Sequence, residues 1–353
     1  MSDAPLSDPP RFLPWQEDAA RAWLGRRERF AHAWLIHGLA GIGKTQFAAA
    51  AAASLLCESP RDGLACGACA ACTWVAGGNH PDLRRIRPDA VALEEGGDAS
   101  EEAEPAAGAK KAPSRDIRVD QIRALESWFN TATHRGGWRV ALLYPAQAMN
   151  AIAANALLKV LEEPPAHTVF LLVADAPDRL LPTLVSRCRR LPMQAPPAGA
   201  AGQWLRGQGL DEPGDWLAAA GGAPLAALRL AQSGAGQACP EWLARLVQPL
   251  SAGSAPDVGE LADALEKQPP AVWIDALQRL YVDLMLAAGA QAAPRYYPRL
   301  AEAARKLAAR TDPAALAETA RWLAGQRAVA GHPLNAKLFA HAALQRVVLS
   351  CRG

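Results

Sequence analysis

The sequence predicts an α/β domain followed by helical domains, because short apolar runs alternate with helical patterns early in the chain and then disappear. Three runs of strand length, Trp34–His37, Val140–Leu143 and Val169–Val173, are almost entirely apolar. Continuous apolar runs are typical of parallel strands that are covered on both faces. Helical patterns over Thr45–Leu56 and Ala148–Glu163 lie between them, and two prolines end the second helix. We therefore expect a doubly wound parallel sheet.

Changes in composition divide the chain into three predicted domains. Beyond Leu191 the strand-like runs end, and a proline-rich linker, Pro192–Pro197, leads into helical patterns. Residues 90–114 are rich in Ala, Gly and Glu and have no aromatic side chain, which favours a disordered surface insertion. The predicted division is an α/β domain over 1–192 with a cysteine module at 57–72 and the insertion at 90–114, a small helical domain over 193–250, and a C-terminal helical domain over 251–353.

The composition excludes several classes of protein. The chain has 353 residues, 50% hydrophobic and 20% charged, with 37 basic and 35 acidic side chains. A net charge of +2 excludes a polycationic nucleic-acid coat and a wholly acidic disordered chain. Met1–Trp15 lacks the apolar stretch of a signal peptide, and the longest apolar run, Phe47–Cys57, is too short to span a bilayer. We expect a soluble, cytoplasmic protein with no membrane partner.

A glycine-rich segment after the first predicted strand has the pattern of a phosphate-binding loop, G-x-x-x-x-G-K-T. Gly38, Gly41 and Gly43 would let the backbone curl so that its N–H groups point at phosphate oxygens. Lys44 is expected to neutralise the outer phosphates, and Thr45 to ligate Mg²⁺. The loop therefore predicts binding of ATP or ADP with Mg²⁺. The alternative is a glycine turn that only caps the following helix.

The strand that should supply a magnesium-binding acid lacks one. Val140–Leu143 continues as Tyr144-Pro145-Ala146-Gln147, and none of these side chains binds a hard cation as a carboxylate does. We therefore predict nucleotide binding with slow hydrolysis or none. The alternative is that Asp175, at the end of the next predicted strand, is the missing acid.

Four cysteines crowd into sixteen residues and predict a structural zinc site. Cys57, Cys66, Cys69 and Cys72 have the short spacers that let tight turns present sulfurs to one ion. A site closed by four thiolates has no open coordination position, so its Zn²⁺ would be structural. The alternatives are four free thiols or redox chemistry through the Cys66–Cys69 pair.

Three further segments identify a family resemblance. Gly78–Asp82 follows the cysteines, Ala154–Pro165 follows the acid-free strand, and Arg179–Cys188 ends in a Ser-Arg-Cys triplet. With the phosphate loop and the cysteine module in this order, the chain resembles the bacterial clamp-loader ATPases of the AAA+ class. The resemblance is strong over Phe12–Leu191 and weak in the C-terminal helices.

The resemblance implies a fold and a role for one arginine. It implies an N-terminal AAA+ P-loop domain, a small helical lid domain and a C-terminal helical collar through which subunits assemble. In relatives, the arginine at the position of Arg187 reaches ATP on a neighbouring subunit as an arginine finger. The alternative is a solvated basic turn, because Arg189 and Arg190 lie beside it.

The chain also departs from hydrolysing relatives at two further positions. Ala174 stands where such relatives carry a polar sensor, and Gly221–Leu225 lacks their sensor arginine. The resemblance therefore implies a largely non-hydrolysing, stator-like subunit of a replicative DNA polymerase holoenzyme. Its implied partners are the clamp-loader gamma/tau and delta subunits and, through that complex, the sliding clamp and primer-template DNA. An active clamp-loader-type ATPase and a zinc-dependent nucleic-acid-binding adaptor are the alternatives.

The last helical pattern carries an apolar stripe with two interpretations. Its members recur at intervals of one to five residues along one segment: Leu334, Leu338, Phe339, Leu344 and Val347. Such a stripe suits packing between subunits in a collar. It equally suits the internal core of a helical domain.

Overall fold

The chain forms two compact units, Met1–Pro196 and Pro197–Gly353. The structure is a computed structural model. It describes residues 9–25, 30–96, 112–129, 131, 133–134, 137–233, 237–289, 293–332 and 335–351. The first unit is built on a β-sheet, and the regular elements described in the second unit are all helical. The α/β fold class followed by an all-α part is thus confirmed.

A five-stranded sheet forms the centre of the first unit. Its strands are β1 Ala33–His37, β2 Leu83–Ile86, β3 Arg139–Leu143, β4 Thr168–Ala174 and β5 Arg189–Pro192. They pair in the order β2-β3-β4-β1-β5, and each neighbouring pair is parallel. The central strands β1, β3 and β4 are the three apolar runs of the sequence. The edge strands β2 and β5 each contain two arginines, which a sheet edge tolerates because one side faces solvent.

Helices cover both faces of this sheet. On one face, Phe47 of the helix after β1 packs with Ile36 in a continuous apolar core. On the other face, Leu125 and Leu157 from two further helices pack with Phe170 of β4. Because both faces are buried, the central strands need no polar alternation. The helices of this unit are α1 Glu17–Leu24, α2 Lys44–Leu56, α3 Ala70–Ala76, α4 Asp89–Glu94, α5 Val119–Phe129, α6 Ala151–Glu162 and α7 Pro182–Arg187.

The predicted insertion at 90–114 differs from the structure at its start. Helix α4 occupies Asp89–Glu94, and its Ala92 is buried. Glu95 follows it and accepts a hydrogen bond from Tyr144, so the first residues of the stretch are held against the sheet. These long-range contacts could not be read from local composition. The rest of the predicted disorder falls largely on 97–111, which lie outside the described residues.

The second unit contains two separate apolar clusters. A small one joins Ala201, Leu205, Leu217 and Ala227. A larger one is built around side chains such as Trp273. The division of 193–353 into a lid and a collar domain remains a prediction. The described helices are α8 Ala198–Gly207, α9 Pro213–Ala219, α10 Pro224–Gln232, α11 Glu241–Ser251, α12 Val258–Glu266, α13 Pro270–Ala288, α14 Ala301–Ala308, α15 Pro313–Val329 and α16 Ala336–Ser350.

The apolar stripe of the last helix is split between core and surface. Leu344 and Val347 of α16 are buried in the larger cluster, and Phe339 packs against it. Leu338 is 67% exposed. Leu334 lies outside the described residues. Part of the stripe is therefore internal core, and Leu338 is available at the surface of the unit.

The longest described helix, α13, has 19 residues and carries charged side chains along its length. Asp275, Arg279 and Asp283 interrupt its apolar positions. Nowhere in the described part of the chain does a helix combine the length and the apolar character that crossing a membrane requires.

Candidate functional site: a phosphate loop, a cysteine cluster and an exposed arginine

The predicted phosphate loop is a tight turn between β1 and α2. Gly41 and Gly43 have φ angles of 81° and 88°, in the left-handed region that favours glycine. Gly38 has φ 151° and lies against the segment after β5. A Cβ atom at Gly38 would come within 2.3 Å of the carbonyl oxygen of Met193. Backbone geometry therefore requires glycine at these positions, and the turn ends at the N-terminus of α2, the positive end of its dipole.

Gln16 braces the loop from a distant part of the chain. Its side chain is 2% exposed, and its Nε2 donates to the carbonyl oxygens of Ile42 at 3.3 Å and Gly43 at 3.0 Å. Its Oε1 accepts a hydrogen bond of 3.1 Å from the backbone N–H of Leu13. Sequence reasoning missed this residue because a lone glutamine 26 positions before Ile42 belongs to no local pattern.

The Lys44 ammonium group is held by two internal acceptors. Nζ donates to the carbonyl oxygen of Leu39 at 2.6 Å and lies 2.5 Å from Oδ1 of Asp175. The Lys44 side chain is 3% exposed, whereas that of Asp175 is 45% exposed. Asp175 follows β4, the direct neighbour of β1, so the carboxyl ends of the two strands bring the carboxylate to the loop. Asp175, which the sequence offered as an alternative acid, is thus in contact with Lys44.

The loop has the donor set that phosphate groups require. Its glycines leave room for close approach of a ligand to the backbone, and half-buried Thr45 lies in the first turn of α2. The pKa of His37, just before the loop, is lowered by burial and then by the positive charges of Arg190 and Lys44. These residues fit a nucleotide phosphate. Lys44 and the loop N–H groups would hold its phosphates, and Thr45 its Mg²⁺.

The carboxyl end of β3 carries a buried tyrosine in place of an acid. Tyr144 is joined to Pro145 by a cis peptide bond, and its hydroxyl donates to Oε2 of Glu95 at 2.8 Å. The same carboxylate lies 3.0 Å from Nε of Arg87. Burial, followed by the charge of Glu95, raises the pKa of the Tyr144 hydroxyl. Residues 144–148, all described, contain no carboxylate, and Gln147 accepts the backbone N–H of Asp175 at 3.2 Å.

The four clustered cysteines converge on one point. Their sulfur atoms all lie within 4.8 Å of one another. The distance from Cys57 to Cys69 is 3.8 Å, and that from Cys66 to Cys72 is 4.0 Å. Sulfurs bound at about 2.3 Å around a tetrahedral Zn²⁺ would lie about 3.8 Å apart. The cluster therefore has the size of a closed zinc site and can bind a metal.

Backbone hydrogen bonds favour the thiolate form of Cys66, whereas burial raises the pKa of the Cys57 and Cys72 thiols, which a bound cation would have to offset. The N–H groups of Ala68 and Cys69 donate to Sγ of Cys66 at 3.5 and 3.4 Å, and they lower the pKa of that thiol to about 6. The N–H of Cys66 donates to Sγ of Cys57 at 3.3 Å. All seven cysteines are free thiols. The four-cysteine set fits Zn²⁺, which would cross-link the end of α2 to α3.

Arg187, the middle residue of the Ser-Arg-Cys triplet, is the last residue of α7. Its Nη1 donates to the carbonyl oxygen of Thr183 at 3.1 Å, and its Nη2 donates to Oε1 of Glu162 at 2.6 Å. The Arg187 side chain is 36% exposed. Cys188 is buried beside it, and burial raises the pKa of its thiol to about 12. The triplet therefore presents its arginine to solvent and packs its cysteine into the core. Sequence reasoning missed Glu162, which lies 25 residues away.

Known proteins match this part of the chain. A family profile described as "DNA polymerase III, delta subunit" matches residues 23–197. The DNA polymerase III subunit delta' of Pseudomonas aeruginosa is 44% identical over 223 residues. This chain belongs to the DNA polymerase III delta-prime family. The subunit delta' of Escherichia coli K12 is 34% identical to it over 227 residues.

The match to delta-prime proteins is partial in length. The aligned segments cover 62% and 63% of this chain and 61% of each of those two relatives. A crystal structure of a DNA polymerase III gamma subunit-related protein from Thermotoga maritima covers 96% of this chain and 100% of its own. At 15% identity and a TM-score of 0.44, that likeness adds nothing to the family assignment. These matches confirm the resemblance found in the sequence.

Proposed function

We propose that this chain is a stator-like subunit of the DNA polymerase III clamp loader that completes the ATP site of a neighbouring subunit and hydrolyses little ATP itself. The claim that this chain hydrolyses little ATP rests on the residues at the end of β3. A phosphate loop hydrolyses ATP when a nearby carboxylate holds Mg²⁺ and a further residue orients water. Tyr144 and Pro145 follow β3 here, and the Tyr144 hydroxyl is committed to Glu95.

Arg187 supports the claim that this chain completes the ATP site of a neighbouring subunit. A guanidinium group is planar, always charged and matched to phosphate oxygens by its fixed fork of donors. At 36% exposure the Arg187 side chain is accessible to a neighbouring molecule. Its partners are one carbonyl oxygen and one exposed carboxylate, of Thr183 and Glu162. An anion of higher charge can replace them, as an arginine finger acting in trans requires.

The proposed partners follow from delta-prime family membership. They are the gamma/tau motor subunits, the delta subunit and, through the assembled complex, the sliding clamp and primer-template DNA. In this role ATP binding at the adjacent motor subunit closes the subunit arc around DNA. The proposed cofactors are a structural Zn²⁺ held by the cysteine cluster and ATP or ADP with Mg²⁺ at the phosphate loop.

Reconstitution of the complex tests the proposed arginine-finger role of Arg187. The full chain is combined with gamma/tau and delta subunits, and steady-state ATP turnover is measured with clamp and primed DNA. Arg187→Ala should depress turnover while the complex still assembles, because a finger contributes about 10³–10⁵-fold at the site it serves. Arg187→Lys should recover little, since lysine keeps the charge but lacks the fork.

Arg179→Ala is the matched control. Arg179 is an exposed arginine eight positions before Arg187, in the same connection between β4 and β5. The Arg179→Ala substitution should leave ATP turnover unchanged. Equal turnover by the wild type and by Arg187→Ala would refute the finger role.

A second candidate function, an active ATPase, is favoured by one contact. Asp175 is a carboxylate at the phosphate loop, 2.5 Å from Lys44, and could hold Mg²⁺ if Lys44 released it. Phosphate release by the isolated chain separates the two functions. Rapid release that Lys44→Ala abolishes would support the ATPase, and no release above the Lys44→Ala background supports the stator.

A further inference from the structure

The carboxylate of Asp175 contacts Lys44, the residue of the phosphate loop that would contact a phosphate anion. In a phosphate loop the lysine is the group that reaches the outer phosphates. Here Nζ of Lys44 lies 2.5 Å from Oδ1 of Asp175, within a site where the lysine is 3% exposed. A carboxylate oxygen and a phosphate oxygen are both hard anionic acceptors. Asp175 therefore already makes the ion pair that a nucleotide phosphate would make.

The ends of β1 and β4 and the segment after β3 place Asp175 in this position. Ala174, the last residue of β4, is in register with His37, the last residue of β1. One residue further on, Asp175 lies alongside the start of the loop. Its backbone N–H donates to Oε1 of Gln147, in the segment after β3. The sheet register and a hydrogen bond donated to the segment after β3 thus place the backbone of Asp175, unlike a chance contact of two flexible surface side chains.

The charge balance makes this pair a barrier to phosphate binding. An ammonium group has three donors, and Lys44 directs one to Leu39 and one to Asp175. A phosphate group that approached Lys44 would meet the like charge of the Asp175 carboxylate. This repulsion acts beside the buried Lys44, where charges are screened less than in bulk water. Binding then requires that the carboxylate turn away or that a divalent cation offset its charge.

We propose that Asp175 competes internally with the phosphates of a nucleoside di- or triphosphate for Lys44, and so sets the nucleotide affinity of this chain. The inference rests on the proposed phosphate-binding role of the loop. It predicts that the free chain binds nucleotide weakly because its own carboxylate must be displaced. It also predicts that Mg²⁺ strengthens binding more in the wild type than in a chain without this carboxylate.

The test is the affinity of the full chain for a fluorescent ADP analogue and for ATP, with and without Mg²⁺, at constant ionic strength. Asp175→Asn keeps the shape of the side chain and removes its charge, and it should raise affinity by about tenfold or more. Asp178→Asn removes an exposed charge three residues further on and should change affinity less than about twofold. Lys44→Ala should abolish binding in the wild-type and Asp175→Asn chains.

The outcomes separate this inference from the proposed loop function. If Asp175→Asn binds no better than the wild type while Lys44→Ala abolishes binding, the competition is refuted and the loop remains a nucleotide site. If Asp175→Asn binds more weakly than the wild type, Asp175 is a ligand of the nucleotide complex, and the inference is wrong. If neither chain binds nucleotide at millimolar concentration, the inference and the loop function both fail. Asp175→Ala and a circular-dichroism spectrum of each variant guard against misfolding.

Discussion

Arg187 and Glu162 form an ion pair that joins the end of α7 to the end of α6, with Nη2 2.6 Å from Oε1. Both side chains are partly exposed, at 36% and 52%. Exposed pairs of this kind contribute at most about 1 kcal/mol to stability, because water and salt compete for both partners. The pair therefore orients the guanidinium group without holding it strongly.

Glu162→Gln should have a small effect on the folded chain. We expect the free energy of unfolding in urea to fall by less than about 1 kcal/mol, because only an exposed pair is lost. In the reconstituted complex it should keep most of the ATP turnover that Arg187→Ala removes. Glu163→Gln, the neighbouring exposed glutamate, is the charge-matched control. A Glu162→Gln complex as inactive as Arg187→Ala would mean that the pair itself is the functional unit.

Removal of one cluster thiol should release the metal. The purified wild type should contain one zinc ion per chain by atomic emission, and Cys69→Ser should contain much less, because Zn²⁺ requires all four corners of the site. Losing a structural metal should lower the free energy of unfolding by about 2–4 kcal/mol. Cys239→Ser, outside the cluster, serves as the control. A zinc-free wild type would contradict the site assignment.

Gly38→Ala should damage the phosphate loop. The added Cβ would meet the Met193 carbonyl oxygen at 2.3 Å, and backbone cannot yield as a flexible side chain can. We expect the free energy of unfolding to fall by about 1–3 kcal/mol, with loss of affinity for the ADP analogue. Gly199→Ala, in open space near the start of α8, should be neutral or stabilising by up to about 1 kcal/mol. If Gly38→Ala were as stable as the wild type, the backbone at Met193 would have to move away from the added Cβ at little cost.

The Cys188 thiol of the native chain should be alkylated slowly even near pH 9, where an ordinary thiol approaches its full rate. Burial raises its pKa to about 12, so the reactive thiolate is scarce at neutral pH and rises about tenfold per pH unit. An ordinary thiol, with a pKa of about 8.5, approaches its full rate near pH 9. Iodoacetamide labelling at pH 7, 8 and 9, read by peptide mass spectrometry, should show this difference between native and urea-unfolded chain. A plateau for native Cys188 near pH 9 would contradict its structural role.

Local patterns predicted the elements that depend on nearest neighbours. The three central strands appear as apolar runs because a strand buried on both faces needs no polar side chain. The loop from Gly38 to Thr45 and the cysteine spacing appear because glycine turns and metal ligands are set within a few residues. By contrast, α4 and the edge strand β5 escaped prediction, since charged or alanine-rich segments acquire their structure from the neighbours they pack against.

By itself, the sequence determined the α/β class, the glycine loop, the cysteine cluster and the absence of an acid at Tyr144–Gln147, since each of these is a matter of residue type at short spacing. Only the tertiary structure decided that Gln16 braces the loop, that Glu162 pairs with Arg187, and that Asp175 pairs with Lys44. It also decided that Leu344 faces the core while Leu338 faces solvent. These contacts join residues far apart in the chain, and the sheet register and helix packing that bring them together leave no trace in local composition.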